Sequence, residues 1–120
     1  MKLIICGAGR VGFNIAEYLS QEKNEITVID QDVQLIGHIN DALDVKGIVG
    51  HASDPNILSA AGANDCDMIM ALTGSDEVNM VACQIAHSLF NVPRKLARIR
   101  GKSYLQPGWS NLFSRSHMPI

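Results

Sequence analysis

The chain alternates short apolar runs with longer stretches in which apolar residues recur every three or four positions. The short runs predict five strands, at residues 2–6, 25–30, 45–49, 68–72 and 95–99. The longer stretches between them predict helices. Strands that alternate with helices in this way are typical of an α/β fold, in which helices cover both faces of a parallel sheet.

Two of the predicted helices carry an apolar stripe on which we expect them to pack against the sheet. In the first helix the stripe is Val11, Ile15 and Leu19. In the last helix it is Val78, Val81, Ala82, Ile85 and Leu89. A shorter helix between the third and fourth strands has Asp54 as its N-cap, Pro55 as its first residue and Gly62 just past its end.

The connections between strands predict the order of the sheet. Right-handed crossovers between consecutive parallel strands give a Rossmann-like, doubly wound sheet of order 3-2-1-4-5. The order reverses between the first and fourth strands, and ligands of such sheets bind in the crevice outside the carboxyl ends of the strands there. The residues that follow these strands are therefore the candidates for a binding site.

The sequence Gly7-Ala8-Gly9-Arg10-Val11-Gly12 directly follows the first strand. In a Gly-x-Gly-x-x-Gly turn the first glycine permits a tight turn, the second lets the main chain approach a pyrophosphate, and the third lets the helix pack on its strand. Asp30 ends the second strand, 18 positions after Gly12. A carboxylate at that point accepts hydrogen bonds from the hydroxyls of an adenosine ribose. The sequence therefore predicts a dinucleotide site.

Two further segments lie at the same edge of the predicted sheet. After the fourth strand, Thr73 offers a hydroxyl and Gly74 a main chain that a ligand can approach, although Thr73 or Ser75 could equally serve as a helix cap. Near the end of the fifth strand, Arg98 and Arg100 point to one face. A guanidinium there would balance phosphate or carboxylate charge, and the alternative is a pair of solvated arginines.

Composition places the chain among soluble globular domains. Its 120 residues, 47% of them apolar and 18% charged, fit a single domain over residues 1–120. Its apolar runs are shorter than the about 20 residues of a membrane span, and no signal peptide is recognisable, so we expect the protein in the cytoplasm. Cys6, Cys66 and Cys83 form no Cys-x-x-Cys pair, and we expect reduced, mostly buried thiols.

The net charge of −2 hides an asymmetry along the chain. All 12 acidic residues lie at or before Glu77, and residues 78–120 contain six basic residues and no acidic ones. The basic residues lack interleaved aromatic residues and a long basic helix, which argues against a nucleic-acid partner. Ligand phosphates or an acidic neighbouring segment are the better candidates.

Catalytic and metal sites find little support in the sequence. The four histidines are scattered without metal-ligand spacing, and no cysteine cluster accompanies them, so we predict no metal. Tyr18 and Tyr104 are not followed four positions later by a lysine, so the proton relay of a short-chain dehydrogenase is missing. We predict no catalytic residue and a protein that is not an enzyme.

Several motifs together resemble one known family. The chain is similar to the N-terminal nucleotide-binding domain of bacterial Trk-type potassium uptake regulators, a group of the regulator-of-potassium-conductance (RCK/KTN) family. The matching segments are residues 7–12, Asp30, residues 49–55, 61–63 and 71–80, and residues 97–100. Many relatives carry an acidic residue where this chain has His51, and the His-x-Ser-x-Pro form resembles the Trk branch itself.

The resemblance implies a ligand and a set of binding residues. The ligand would be NAD or NADH, with ATP or ADP as possible ligands too. The residues that match the family's binding positions are Gly7, Ala8, Gly9, Arg10, Val11, Asp30, Thr73, Gly74 and Arg98. Gly12 is better explained by packing than by ligand contact.

The resemblance also implies a biological role. Such a protein would be a regulatory subunit, a homo-oligomer that docks on a membrane-embedded potassium transporter from the cytoplasmic face of the inner membrane and gates it as nucleotide binds. The chain would be a fragment, because the family's sixth strand begins near His117–Ile120, after an amphipathic turn at Trp109, Leu112 and Phe113. The alternative function is the cofactor-binding half of an NAD-dependent dehydrogenase, since the glycine motif serves both classes.

Overall fold

The computed structural model describes residues 1–113. Within them, five parallel strands form one sheet in the order β3-β2-β1-β4-β5. The strands are β1 (Lys2–Cys6), β2 (Glu25–Asp30), β3 (Lys46–Val49), β4 (Met68–Ala71) and β5 (Arg94–Ala97). The helices between them are α1 (Arg10–Ser20), α2 (Val33–Ala42), α3 (Pro55–Ala60) and α4 (Asp76–Phe90). The predicted doubly wound α/β fold and its strand order are confirmed.

The strand bounds differ slightly from the predicted ones. β3 begins one residue later than expected, and β4 ends one residue earlier. The predicted fifth strand, residues 95–99, is shifted to Arg94–Ala97, so Arg98 lies just beyond it. The Arg98 amide still donates to the carbonyl oxygen of Ala71 at 2.9 Å, so the chain leaves the sheet gradually at this edge.

Alternation along the strands divides the core into two layers. Leu3 and Ile5 of β1 face the layer that contains α1 and α2, whereas Ile4 and Cys6 face the layer that contains α3 and α4. Successive side chains of a strand point to opposite faces of the sheet. Because β1 lies in the middle of the sheet and is covered on both faces, its four apolar residues are all buried.

The predicted stripes are confirmed in part. Ile15 and Leu19 of α1 pack against the core, as do Val78, Ala82 and Ile85 of α4. In α1 the buried residues are Gly12 and Ala16, while Val11 is exposed. The physical reason is that the first turn of α1 approaches the sheet through a glycine, which turns Val11 toward the crevice instead. In α4 the predicted Val81 and Leu89 are exposed. The buried residues of α4 are Asn79, Met80, Ala82, Cys83 and Ala86, a face centred on small side chains.

The predicted punctuation of α3 is confirmed. The Asp54 side chain accepts a hydrogen bond from the Asn56 amide at 2.9 Å. Pro55 is the first helical residue, and Gly62, just past the end of the helix, has a φ of 90°. A left-handed residue after a helix is the conformation that glycine adopts without strain. These local signals could be read from sequence because each acts within one turn of chain.

Other predictions concern the cysteines, the membrane and the carboxyl-terminal segment. Cys6, Cys66 and Cys83 are buried free thiols, as expected, and burial raises the pKa of Cys83 to about 12. No helix within residues 1–113 has the length and apolar character to cross a membrane. The turn predicted near Trp109 is a 3₁₀ segment, Pro107–Phe113. The predicted sixth strand falls outside the described residues.

The glycine turn and α1 are packed closely together at Gly12. A Cβ on Gly12 would stand 1.8 Å from the carbonyl oxygen of Gly7. Only a residue without a Cβ fits there, because both partners are main chain and cannot move independently. This geometry agrees with the packing role predicted for Gly12.

We expect Gly12→Ala to lower the free energy of unfolding by roughly 3 kcal/mol or more, because the added methyl group overlaps a main-chain oxygen. Gly37→Ala is the matched control. Gly37 lies inside α2 with open space around its Cβ position, so alanine there should stabilise the domain by ~0.5–1 kcal/mol. Urea denaturation monitored by circular dichroism measures both, and a Gly12→Ala domain as stable as the parent would contradict the packing role.

Candidate functional site

Gly7 fixes the turn between β1 and α1 through close contacts with main-chain atoms. Gly7 has φ of 109°, and its amide donates to the carbonyl oxygen of Ile29 at 2.7 Å. A Cβ on Gly7 would lie 2.8 Å from the carbonyl oxygen of Leu72. Gly7 thus lies against the ends of both β2 and β4, and the turn is fixed at the point where the strand order reverses.

The N-terminus of α1 is left open. Gly9 is its N-cap, no side chain caps the first amides, and the space where a Gly9 Cβ would lie is empty. The first amides of an α-helix have no partner within the helix. Together with the positive end of the helix dipole, they form a site for a phosphate or another anion.

Asp30 supports the glycine turn. Its Oδ2 accepts from the Ala8 amide at 2.8 Å, and its Oδ1 accepts from the Asp32 amide at 2.8 Å. A carboxylate oxygen has two acceptor positions, so each oxygen can still take a hydrogen bond from a ligand hydroxyl. Asp30 therefore fixes the turn and presents a charged acceptor to the crevice at the same time.

Arg98 lies on the opposite wall of the crevice. Its Nη2 donates to the carbonyl oxygen of Thr73 at 2.9 Å and to that of Leu72 at 3.3 Å. Its Nε is buried and has no hydrogen-bond partner among the described residues. A buried donor without a partner costs free energy, so the Arg98 side chain is held in this position at some cost to stability.

Two polar residues of α4 hold this wall, and the sequence reasoning missed both as site residues. Asn79 is fully buried and bonds to Thr73 and to the Arg98 main chain. Asp76 accepts from the Arg100 amide at 2.9 Å and from the Gly101 amide at 2.7 Å. The signal available for Asn79 was a polar residue in register with Ala82 and Ala86, on the face of α4 that packs inward.

The Asp76 carboxylate is held in its charged form. The hydrogen bond from the Arg100 amide is the main cause that lowers the pKa of Asp76 below its ordinary value, and the Gly101 amide acts in the same direction. A Cβ on Gly101 would lie 2.9 Å from Asp76 Oδ2, so a larger residue there would shift the carboxylate. Asp76 thereby anchors the segment after β5 to the start of α4.

These walls enclose a cavity of about 820 Å³, a size within the range of small-molecule sites. Eight of the nine predicted binding residues line it: Gly7, Gly9, Arg10, Val11, Asp30, Thr73, Gly74 and Arg98. The ninth, Ala8, is buried, and its amide is already bonded to Asp30. Arg100 lines the cavity beside Arg98, so arginines outnumber the carboxylate and the cavity suits an anionic ligand.

The far end of the cavity was not predicted as part of the site. Gly50, His51 and Ala52, which follow β3, line it together with Leu35 of α2. The available signal was the topology, because β3 is parallel to β2 and its carboxyl end opens on the same edge of the sheet. This end presents apolar surface and one imidazole beside Asp30.

Thr73 and Ser75 have different roles in the loop after β4. Ser75 is the N-cap of α4, and its side chain accepts from the Val78 amide at 3.2 Å. The Thr73 hydroxyl instead donates to Asn79 Oδ1 at 2.7 Å. Of the two residues, Ser75 is the helix cap, and both residues line the cavity.

Residues 3–113 match the TrkA-N domain family. The Trk system potassium uptake protein TrkA of Azorhizobium caulinodans is 56% identical over 120 residues, which is 100% of this chain. The chain belongs to the TrkA-N domain family. The TrkA-N domain described here spans 26% of the length of that relative.

Solved structures share the TrkA-N fold at low identity. The Kef CTD of Shewanella denitrificans in its AMP-bound form has a TM-score of 0.75 and 23% identity, and the match covers 92% of this chain and 69% of that one. The GsuK channel bound to NAD has a TM-score of 0.68 and 20% identity, covering 78% of this chain and 17% of that one. At these identities the likeness shows the fold.

The pKa of Asp76 gives the TrkA-N domain a pH-dependent stability that can be measured. A lowered pKa in the folded state contributes stability above the unfolded value of about 3.9, and that contribution is lost as the pH falls through the folded pKa. The difference in free energy of unfolding between the parent and Asp76→Asn should be constant from about pH 7 to 5 and shrink below about pH 4.

Denaturant titrations at a series of pH values test this expectation. Asp41→Asn, at an exposed position of α2, is the control for the loss of one surface carboxylate. A difference for Asp76→Asn that stays the same from pH 7 to 3 would mean that the carboxylate does not depend on the Arg100 and Gly101 amides.

Proposed function

We propose that this domain binds NAD or NADH in the cavity at the carboxyl ends of β1 and β4. One observation carries the proposal: the open N-terminus of α1 and the Asp30 carboxylate line the same cavity. The helix N-terminus suits a pyrophosphate, and the carboxylate suits the two hydroxyls of a ribose. A dinucleotide presents both groups, and its second half can occupy the rest of the cavity.

The cavity divides naturally between the two halves of such a ligand. The adenosine would lie between Asp30 and His51, with its phosphate on the amides of residues 9–11. The second half would extend toward Thr73 and Arg98. ATP or ADP could use the adenosine end and the same amides, so they remain alternative ligands of the same site. The named ligands of the similar structures, AMP and NAD, are consistent with both.

For the whole protein we propose a regulatory role in potassium uptake. The support is the family and the name of the 56% identical relative, a Trk system potassium uptake protein. In this proposal the protein is a cytoplasmic homo-oligomer on the inner face of the inner membrane, docked on a membrane-embedded transporter subunit. Nucleotide occupancy changes transport only if the ligand binds the two arrangements of the assembly with different affinity.

We propose further that the domain senses its nucleotide without reacting with it. Three of the polar side chains that line the cavity, Asp30, Thr73 and Arg98, are already bonded to main-chain groups of the fold or to Asn79. These three support the shape of the site, which is the role that a sensor requires of them. Steady oxidation of NADH by a carbonyl compound is the observation that would favour the dehydrogenase alternative.

We expect the domain to bind NAD and to reject NADP. The 2′-phosphate of NADP would face the Asp30 carboxylate, and one pair of like charges at ~4 Å costs on the order of 4 kcal/mol at an effective dielectric of about 20. Isothermal titration calorimetry should therefore give an affinity for NAD at least about a hundredfold higher than for NADP.

Asp30→Asn is the diagnostic variant, because it keeps one acceptor for the Ala8 amide but removes the charge. It should weaken NAD binding and narrow the gap between NAD and NADP. Asp41→Asn, outside the cavity, should bind as the parent does. Equal affinities of the unmutated domain for NAD and NADP would refute the proposed role of Asp30.

We expect Arg98→Ala in the full-length protein to abolish most of the nucleotide dependence of potassium uptake. A tenfold difference in affinity between two arrangements is worth ~1.4 kcal/mol per site, and loss of the arginine removes a contact that could distinguish them. Arg94→Ala is the matched control, since Arg94 is exposed at the opposite end of β5. Rubidium influx in cells lacking the chromosomal gene and complemented with each variant provides the measurement. An unchanged nucleotide response in Arg98→Ala would contradict the gating proposal.

A further inference from the structure

Among the described residues, Asn79 is the one polar residue that is buried in the core, and it is 0% exposed. It lies on the inward face of α4, in register with Ala82 and Ala86, where an apolar side chain would ordinarily pack. A buried amide costs free energy unless its hydrogen bonds are made. The hydrogen-bond partners of Asn79 therefore indicate its role.

All four hydrogen-bonding positions of the Asn79 amide are used. Its Oδ1 accepts from the Thr73 amide at 2.9 Å and from the Thr73 hydroxyl at 2.7 Å. Its Nδ2 donates to the Thr73 carbonyl oxygen at 3.2 Å and to the Arg98 carbonyl oxygen at 2.8 Å. An amide side chain has two donors and two acceptor positions, so no capacity is left for a ligand.

These bonds close a ring that joins two segments of the cavity wall. Asn79 holds the main chain of Thr73 on both sides of that residue and also fixes its hydroxyl. It holds the Arg98 main chain, while the Arg98 side chain returns to the Thr73 carbonyl oxygen at 2.9 Å. Thr73 and Arg98 line the cavity, whereas Asn79 lies behind them and does not.

The opposite end of the cavity is held without Asn79. There Asp30 bonds to the amides of Ala8 and Asp32, and neither contact involves α4. A change at Asn79 should therefore act on one end of the site. An effect confined to one end distinguishes a positioning role from a general contribution to stability. A loss of stability would lower the affinity for every ligand to the same extent.

We propose that Asn79 is a positioning residue, which sets the affinity of the site for the half of a dinucleotide that lies beyond the adenosine phosphate. It acts through the geometry of Thr73 and Arg98 and touches no ligand itself. The inference rests on the proposed function, because it takes the adenosine end to be that of Asp30 and His51.

Asn79→Asp tests the proposal with little change in side-chain volume. The carboxylate keeps acceptors for the Thr73 amide and hydroxyl, but it loses both donors and sets an oxygen against the carbonyl groups of Thr73 and Arg98. Calorimetric titrations should give an affinity for NAD reduced on the order of tenfold or more, and an affinity for AMP within about twofold of the parent.

The matched control is Gln84→Glu, the same chemical change on the same helix. Gln84 donates to the Ser88 hydroxyl at 2.8 Å on the outer side of α4, away from the cavity. The affinities of the Gln84→Glu domain for NAD and for AMP should both equal those of the parent. If Asn79→Asp does not fold, Asn79→Ser replaces it, because a hydroxyl carries no charge into the core.

The outcomes distinguish this inference from the proposed function. A parent domain that binds neither NAD nor AMP would refute the proposed function itself. A parent that binds both, with a folded Asn79 variant that binds NAD unchanged or loses NAD and AMP to the same extent, would overturn the positioning role alone. Loss of the fold in both Asn79 variants would likewise overturn it, because Asn79 would then serve core stability.

Discussion

The contact on which the rest of the site depends is one between main-chain atoms. Gly7 lies against the end of β2 through its amide and against the end of β4 at Leu72, and Gly12 lies against the Gly7 carbonyl oxygen. No side chain intervenes in any of these contacts. They bring the N-terminus of α1, the end of β2 and the loop after β4 to one place, and the cavity is the space left between them.

Side chains around the cavity are used mainly to hold main chain. Asp30 binds two amides of the turn and the following loop, Asp76 binds two amides after β5, and Asn79 binds Thr73 and Arg98. Each of these groups is therefore committed before any ligand arrives. These hydrogen bonds preorganise the site. In such a network, neighbouring hydrogen bonds strengthen one another.

The sequence was sufficient for the features that act locally or through topology. The strand order, the helix cap at Asp54 and the residues of the glycine turn follow from apolar runs, cap chemistry and crossover handedness, each of which leaves a short-range signature. The helix faces were harder to predict. Val11 and Leu89 fit an apolar stripe but are exposed. The helices also approach the sheet through Gly12 and Ala86, because small residues allow closer packing than large ones. The role of Asn79 could not be deduced because its partners lie on two segments that meet only in the folded chain.

The commitment of Asp30, Asp76 and Asn79 to the main chain has a thermodynamic consequence. Ordering a flexible loop costs conformational entropy for every residue that is fixed, and a ligand that must order its own site loses affinity by that amount. In this domain the loops at the cavity are already fixed by hydrogen bonds that exist without a ligand. The free energy of binding is then not used to order the site. It can instead shift the position of the domain relative to its neighbours.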